Sequence, residues 1–191
     1  MQLPMPISLT TLAFDDEERR LIEDAKRDKQ AFATLYRRHH SIMASYIFRR
    51  VGDMHVTDDL VADVFLAALK TLPRYRYRGL PLRAWLYRIA ANRVNRWARR
   101  ERSRIHIRFS ELQHSEDPAT DNTADSSGDG EFARIALLSV KPKYQTVLSL
   151  HYLEGMSIED VAAAVGCRVG TVKSRLSRGR DALREKLARR R

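Results

Sequence analysis

This sequence has almost no cysteine. Cys167 stands alone among 191 residues. One thiol excludes an internal disulfide and a cysteine cage for zinc. The six histidines have no paired spacing, so no metal centre is expected. No apolar run nears the ~20 residues that a membrane span needs, so membrane insertion is not expected. The opening M-Q-L-P-M-P-I-S-L-T lacks a basic stretch ahead of an apolar one, so a secretory signal is not expected and a cytoplasmic protein fits best. There is no carboxylate pair, Cys/His pair or Gly-rich phosphate loop. The isolated His39-His40 reads as a surface pair. An enzyme is therefore not expected, nor is a cofactor.

What the chain does have is positive charge, unevenly placed. It carries 35 Lys/Arg against 24 Asp/Glu, a net +11. Residues 1–109 hold 22 Lys/Arg and 12 Asp/Glu, whereas residues 110–131 hold 7 Asp/Glu and no Lys/Arg. Residues 132–191 return to 13 Lys/Arg and 5 Asp/Glu. Two basic blocks flank an acidic connector. That arrangement suits two contacts on one polyanion, or a basic protein kept soluble by its charge.

The densest pattern lies at Ser157–Leu187. Ser157 is placed as an N-cap with Asp160 three residues on. Ile158, Val161, Ala162 and Val165 share one helical face. Gly166 follows, where a chain leaving a helix needs positive φ. A second helix starts near Gly170 and Thr171, with Val172, Leu176, Gly179, Leu183 and Leu187 facing inward. Lys173, Ser174, Ser177 and Arg178 fall on another side, near its N-terminus. Two helices across a glycine turn, with cations and hydroxyls on the leading surface, read as a helix-turn-helix that enters a DNA major groove. A solvated basic face is the plainer alternative. Cys167 reads as a small turn residue rather than a redox sensor.

Upstream, residues 1–14 read as a loose tail. A short helix follows Asp15-Asp16-Glu17-Glu18 to about Arg27. Asp28 should cap a long helix through Val51, ended by Gly52. A third helix spans about His55 to Leu72, with Pro73 stopping it. Asp58 and Asp59 there complement the helix dipole, but Asp63 lies a turn further in. An acidic, partly apolar face in a basic protein is a candidate docking site for a basic partner. Next, Arg74-Tyr75-Arg76-Tyr77-Arg78-Gly79 alternates cations with aromatics, suiting unpaired bases and their backbone; the tyrosines could equally pack on the domain. Pro81 opens a helix with Leu86, Ile89, Ala90, Val94 and Trp97 inward and Arg88, Asn92, Asn95 and Arg99 as a polar stripe. It frays by Ser103. Residues 111–130 lack any helical pattern and read as a disordered linker able to separate two domains by tens of ångströms. Helices resume over Phe132–Val140 and Pro142–Leu153.

The order of these segments resembles the extracytoplasmic-function sigma factors of bacterial RNA polymerase, members of the sigma-70 family. Asp28-x-x-Ala31-Phe32-x-x-Leu35-Tyr36 is similar to the opening of their region 2. Asp58-Asp59-Leu60-Val61-x-Asp63-Val64-Phe65 resembles region 2.2. Trp85-Leu86-x-x-Ile89-Ala90-x-Asn92 with Arg99-Arg100 resembles regions 2.3 and 2.4. Tyr152–Ser157 with Val169–Leu176 resembles region 4. Leu82, Arg96 and Cys167-Arg168 depart from the family pattern.

The resemblance implies an all-α fold with two small helical domains. A sigma-2-like unit would span 15–108, an acidic linker 109–131, and a sigma-4-like helix-turn-helix unit 132–191. It implies that Asp58, Asp59, Leu60, Asp63 and Phe65 form or support the surface for core RNA polymerase, at its β′ clamp, with the β flap as a second contact. Tyr75, Arg76, Tyr77, Arg78, Arg88 and Asn92 would hold the −10 element single-stranded. Arg168, Thr171, Lys173, Ser174, Ser177 and Arg178 would meet the duplex −35 element. An anti-sigma factor is a further implied partner. The alternative from the residues is a two-domain helix-turn-helix regulator that binds duplex DNA without polymerase.

Overall fold

The structure, a computed structural model, describes residues 16–76, 82–114 and 128–188. The N-terminal tail, Tyr77 and Arg78 of the aromatic loop, Pro81 and residues 115–127 of the acidic connector lie outside the described residues. Helices account for the regular structure: α1 Asp16–Ala25, α2 Lys29–Val51, α3 Met54–Thr71, α4 Leu82–Arg100, α5 Arg102–His114, α6 Gly128–Ser139, α7 Pro142–Leu148, α8 Ile158–Val165 and α9 Val169–Leu187. A 3₁₀ turn at Leu72–Arg74 ends α3, and a π turn at Ser149–Leu153 extends α7.

Local chemistry fixes the ends of α2. The Asp28 carboxylate accepts from the amides of Gln30 and Ala31 at 3.0 and 3.3 Å, occupying two of the orphan donors of the first turn. Gly52 leaves the helix at φ 73°, its N–H on the Phe48 carbonyl, a conformation that costs L side chains dearly. The Arg134 guanidinium, which bonds the Val51 carbonyl, occupies the space a Gly52 side chain would enter and would have to shift for one. One residue on, Asp53 caps α3 through the Val56 amide at 2.9 Å.

Helices α1 to α4 form the first bundle, with Met43, Tyr46, Ile47, Val64, Ala84, Tyr87, Ala90 and Val94 fully buried. This core does not stop at the connector. It runs on through Val147, Leu148, Leu150, Met156, Val161 and Val172 as one cluster. The two helical units therefore sit against one another rather than apart, unlike the separation the linker length would allow. A second, smaller cluster joins α5 to α6, where Phe109 and Phe132 stack with centroids 5.6 Å apart.

Two polar clasps explain why the units close. Arg50, fully buried, donates to the Tyr46 hydroxyl at 3.1 Å, to Asn95 Oδ1 at 3.0 Å and to Gln145 Oε1 at 2.7 Å. Asn95 in turn donates to Thr146 Oγ1 at 3.0 Å. In the second clasp the Glu154 carboxylate, buried from α7's π turn, pairs with Arg49 and accepts from the Tyr87 hydroxyl at 2.7 Å. Burying these groups would be costly alone; mutual hydrogen bonding removes most of that cost.

Three expectations change. The helix that ends at Arg100 does not fray. After a bend at Glu101 the chain resumes as α5 to His114, so the sequence read as linker begins later than residue 109. The following helix starts at Gly128 rather than Phe132. Asn95 is not part of an exposed stripe but belongs to the Arg50 clasp.

Candidate nucleic-acid and protein-docking surfaces

The helix-turn-helix is built by capping at both ends of α8. The Ser157 hydroxyl accepts from the Asp160 amide at 3.0 Å, capping the helix, and donates to the Asp160 carboxylate at 2.7 Å. At the other end Gly166 takes φ 72°, and the N–H groups of Gly166 and Cys167 both reach the Ala162 carbonyl. That turn aims α9 across α7. Val172 and Leu176 are buried beneath it. A Cβ on Gly179 would lie 3.1 Å from Tyr144 Cβ and Leu148 Cδ1, so the small residue sets how closely the helices approach. Of the inward positions read from sequence, Leu183 is half-buried and Leu187 is exposed.

With that face locked down, Lys173, Ser174, Ser177 and Arg178 all stand exposed on the first half of α9. Arg168, at the N-cap position, is exposed as well, and Thr171 is half-buried with its amide on the Arg168 carbonyl. Four side chains able to bond bases or phosphates thus share one open surface of a recognition-type helix. Cys167 is a free, half-buried thiol with Arg175 Nη1 at 3.9 Å.

A second surface lies on α3. Asp58, Asp59 and Asp63 are exposed, whereas Leu60 and Phe65 are buried beneath them. Phe65 meets Tyr36 edge-on at 4.6 Å. Leu60 and Phe65 therefore hold the acidic face in place rather than form it. Leu66, 50% exposed, and Leu69, 39% exposed, stand on the same helix and were not singled out from the sequence. Asp63, Leu66 and Leu69 fall at intervals of three, so two exposed leucines follow the acidic residue along one ridge.

The third surface is split. Arg88 and Asn92 are exposed on α4, and Arg76 is exposed ahead of it. Tyr75 is not available for stacking on a base: it is 8% exposed, its ring 4.9 Å from that of Trp85. Its alternation with arginine suggested a binding loop, but an aromatic next to a half-buried tryptophan gains more by packing. A side chain at Gly166 would come within 3.8 Å of Arg88 Nη1, so the first helix of the helix-turn-helix ends against α4. Beside it the Tyr87 hydroxyl accepts from Arg83 at 2.9 Å while donating to Glu154. Burial first, and the Glu154 charge second, push the Tyr87 phenol well above its ordinary value.

Among the described residues no helix is long and apolar enough to cross a membrane, and no group of three or more His, Cys, Asp or Glu could hold a metal ion.

Two family models match the chain. Sigma-70 region 2 covers residues 35–104, and sigma-70, region 4 covers residues 136–183. The chain is 32% identical over 168 residues to the ECF RNA polymerase sigma factor SigD of Mycobacterium tuberculosis, covering 84% of this chain and 78% of that one. It is 30% identical to SigE of Mycolicibacterium smegmatis over 175 residues, covering 86% of this chain but only 66% of that relative, just under two thirds of its length. Among solved structures, CnrH in complex with the cytosolic domain of CnrY matches with a TM-score of 0.60 at 28% identity, covering 90% of this chain and 97% of that one.

Proposed function

The chain belongs to the extracytoplasmic-function sigma factors of the sigma-70 family, and from that premise we propose that it binds bacterial core RNA polymerase and directs it to specific promoters. The observation that carries this reading is the face of α9. Its Val172–Leu176–Gly179 side is fixed against α7, while Lys173, Ser174, Ser177 and Arg178 stand free together. Those residues, with Arg168 and Thr171, contact the duplex −35 element in this account. Arg178 is the best placed for a bidentate pair with a guanine.

Arg88 and Asn92 on α4, with Arg76, hold the single-stranded −10 element. Tyr77 and Arg78 belong to the same role by their place in the loop. Tyr75 acts from beneath, by anchoring the loop on Trp85. The ridge of Asp58, Asp59 and Asp63 docks on the β′ clamp, and its exposed Leu66 and Leu69 add apolar area to that contact. Region 4 makes the β flap contact. RpoE solved with the anti-sigma factor NepR from Bartonella quintana, and CnrH solved with the cytosolic domain of CnrY, support a restraining protein partner for the present chain, which would work in the cytoplasm.

Asp63→Arg tests the reading. Asp63 is exposed, so folding should survive the change. Affinity for purified core polymerase should fall about tenfold or more, since a charge reversal sets like against like at the docking ridge. Unchanged affinity, with an unchanged unfolding midpoint, would remove α3 from the interface.

A further inference from the structure

The arginines of α5 divide into two sets. Arg104 pairs with Glu101 at 3.1 Å and Arg108 with Glu131 at 3.0 Å. Arg102 has no carboxylate partner among the described residues and faces a cleft of about 660 Å³ between the two units. Four more basic side chains converge there: Arg99 from α4, His106 from α5, Lys141 from the α6–α7 turn and Lys186 from α9. No carboxylate lines it among the described residues. The Lys186 ammonium is steadied over the Phe109 ring, 5.3 Å from its centroid. Ile105, Leu138 and Val140, each less than a tenth exposed, lie at its floor, and the half-buried Pro142 adds apolar wall.

Like charges gathered within a Debye length repel unless an anion joins them. The volume falls in the range of small-ligand sites, which pair an apolar wall with a few convergent polar groups. An inorganic anion would satisfy the cations but leave the apolar floor bare.

We propose that this cleft binds a small phosphorylated ligand with the chemistry of a nucleoside polyphosphate. Its phosphates lie among Arg99, Arg102, Lys141 and Lys186, and its ring lies against Pro142 and the apolar floor. Because α4 and α5 supply one wall and the α6–α7 turn and α9 the other, the ligand would also tie the two units together. Phosphates of a nucleic-acid strand carry the same charge, so the test must separate the two sources.

Full-length protein is titrated by calorimetry at ~0.15 M salt with GTP, ATP, inorganic tripolyphosphate, and short single-stranded and duplex oligonucleotides. One nucleotide per chain should bind, more tightly than tripolyphosphate. Arg102→Ala and Lys141→Ala, both at exposed positions, should each weaken it about tenfold or more, as expected for loss of a charge-assisted contact. Arg104→Ala should leave it unchanged. Binding that is absent, or weakened as much by Arg104→Ala, overturns the site in favour of general polycation attraction. Equal affinity for tripolyphosphate overturns the nucleoside part. Displacement of the nucleotide by oligonucleotide, with Arg102→Ala and Lys141→Ala weakening the oligonucleotide instead, assigns the cleft to a nucleic-acid backbone and overturns the small-ligand proposal.

Discussion

Arg50 is a fully buried cation whose hydrogen-bond acceptors are a phenol and two amide oxygens. Its Nε has no partner in the structure. Such a group is tolerated because both terminal nitrogens are hydrogen-bonded, and because it satisfies Gln145 and Asn95 in return. Arg50→Ala should therefore lower stability by about 2–5 kcal/mol, combining a large cavity with orphaned amide oxygens. Arg50→Met, which keeps most of the volume but orphans the same amide oxygens, should recover only the cavity part of that loss. Urea unfolding of the three proteins decides this, and a loss below about 1 kcal/mol for the alanine variant would contradict the clasp.

Tyr87 gives a pH signature at the same scale. Its folded pKa is raised above the unfolded value near 10. The neutral phenol is thus the form the fold prefers. Its contribution to stability is fully present below pH ~10 and is lost as pH rises beyond that, because the unfolded chain releases the proton first. Alkaline unfolding should therefore be steeper in the parent than in Tyr87→Phe, which has no phenol to titrate. Identical slopes above pH ~10 would mean that Tyr87 is not held neutral by the fold.

At the scale of elements, the helix-turn-helix depends on one backbone conformation. Gly166 sits at φ 72° between α8 and α9. Gly166→Ala should destabilise by about 1 kcal/mol or more, while Gly166→Asn, which tolerates that region better, should lose less. Thermal unfolding with both variants checks the order, and alanine faring as well as asparagine would count against the strained turn. This element was legible in the sequence because its signals are local: Ser157 and Asp160 at one end, glycine at the other, and apolar spacing between. The same is true of α2, with Asp28 and Gly52 at its ends. Helix α5 was not legible. Its buried stripe is only Ile105 and Phe109 among arginines, serines and histidine, and it acquires a core only when Phe132 of α6 arrives from across the connector. Tyr75 failed for a related reason, since its partner Trp85 lies ten residues away on another element.

At the scale of the whole molecule, sequence reading saw two basic units and an acidic connector but not how they meet. Nothing local marks Arg50, Asn95 and Gln145 as partners, because each is polar and each would ordinarily be placed on the surface. Their burial follows from closure of one unit on the other. The acidic ridge on α3 shows the converse. Its aspartates were readable from charge against background, whereas the exposure of Leu66 and Leu69 depends on where α2 and α4 leave α3 uncovered. Fold class and family came through in sequence because they rest on capped helices in a fixed order. The joint between the units did not, because long-range polar pairing leaves no periodic trace.

The most direct test of the account is run-off transcription with purified core polymerase on a pool of promoter fragments, with and without this protein. The account predicts new, discrete start sites that appear only with the protein and share paired upstream elements. No new transcripts, together with tight duplex binding and no association with core, would contradict it and point to a regulator that acts without polymerase.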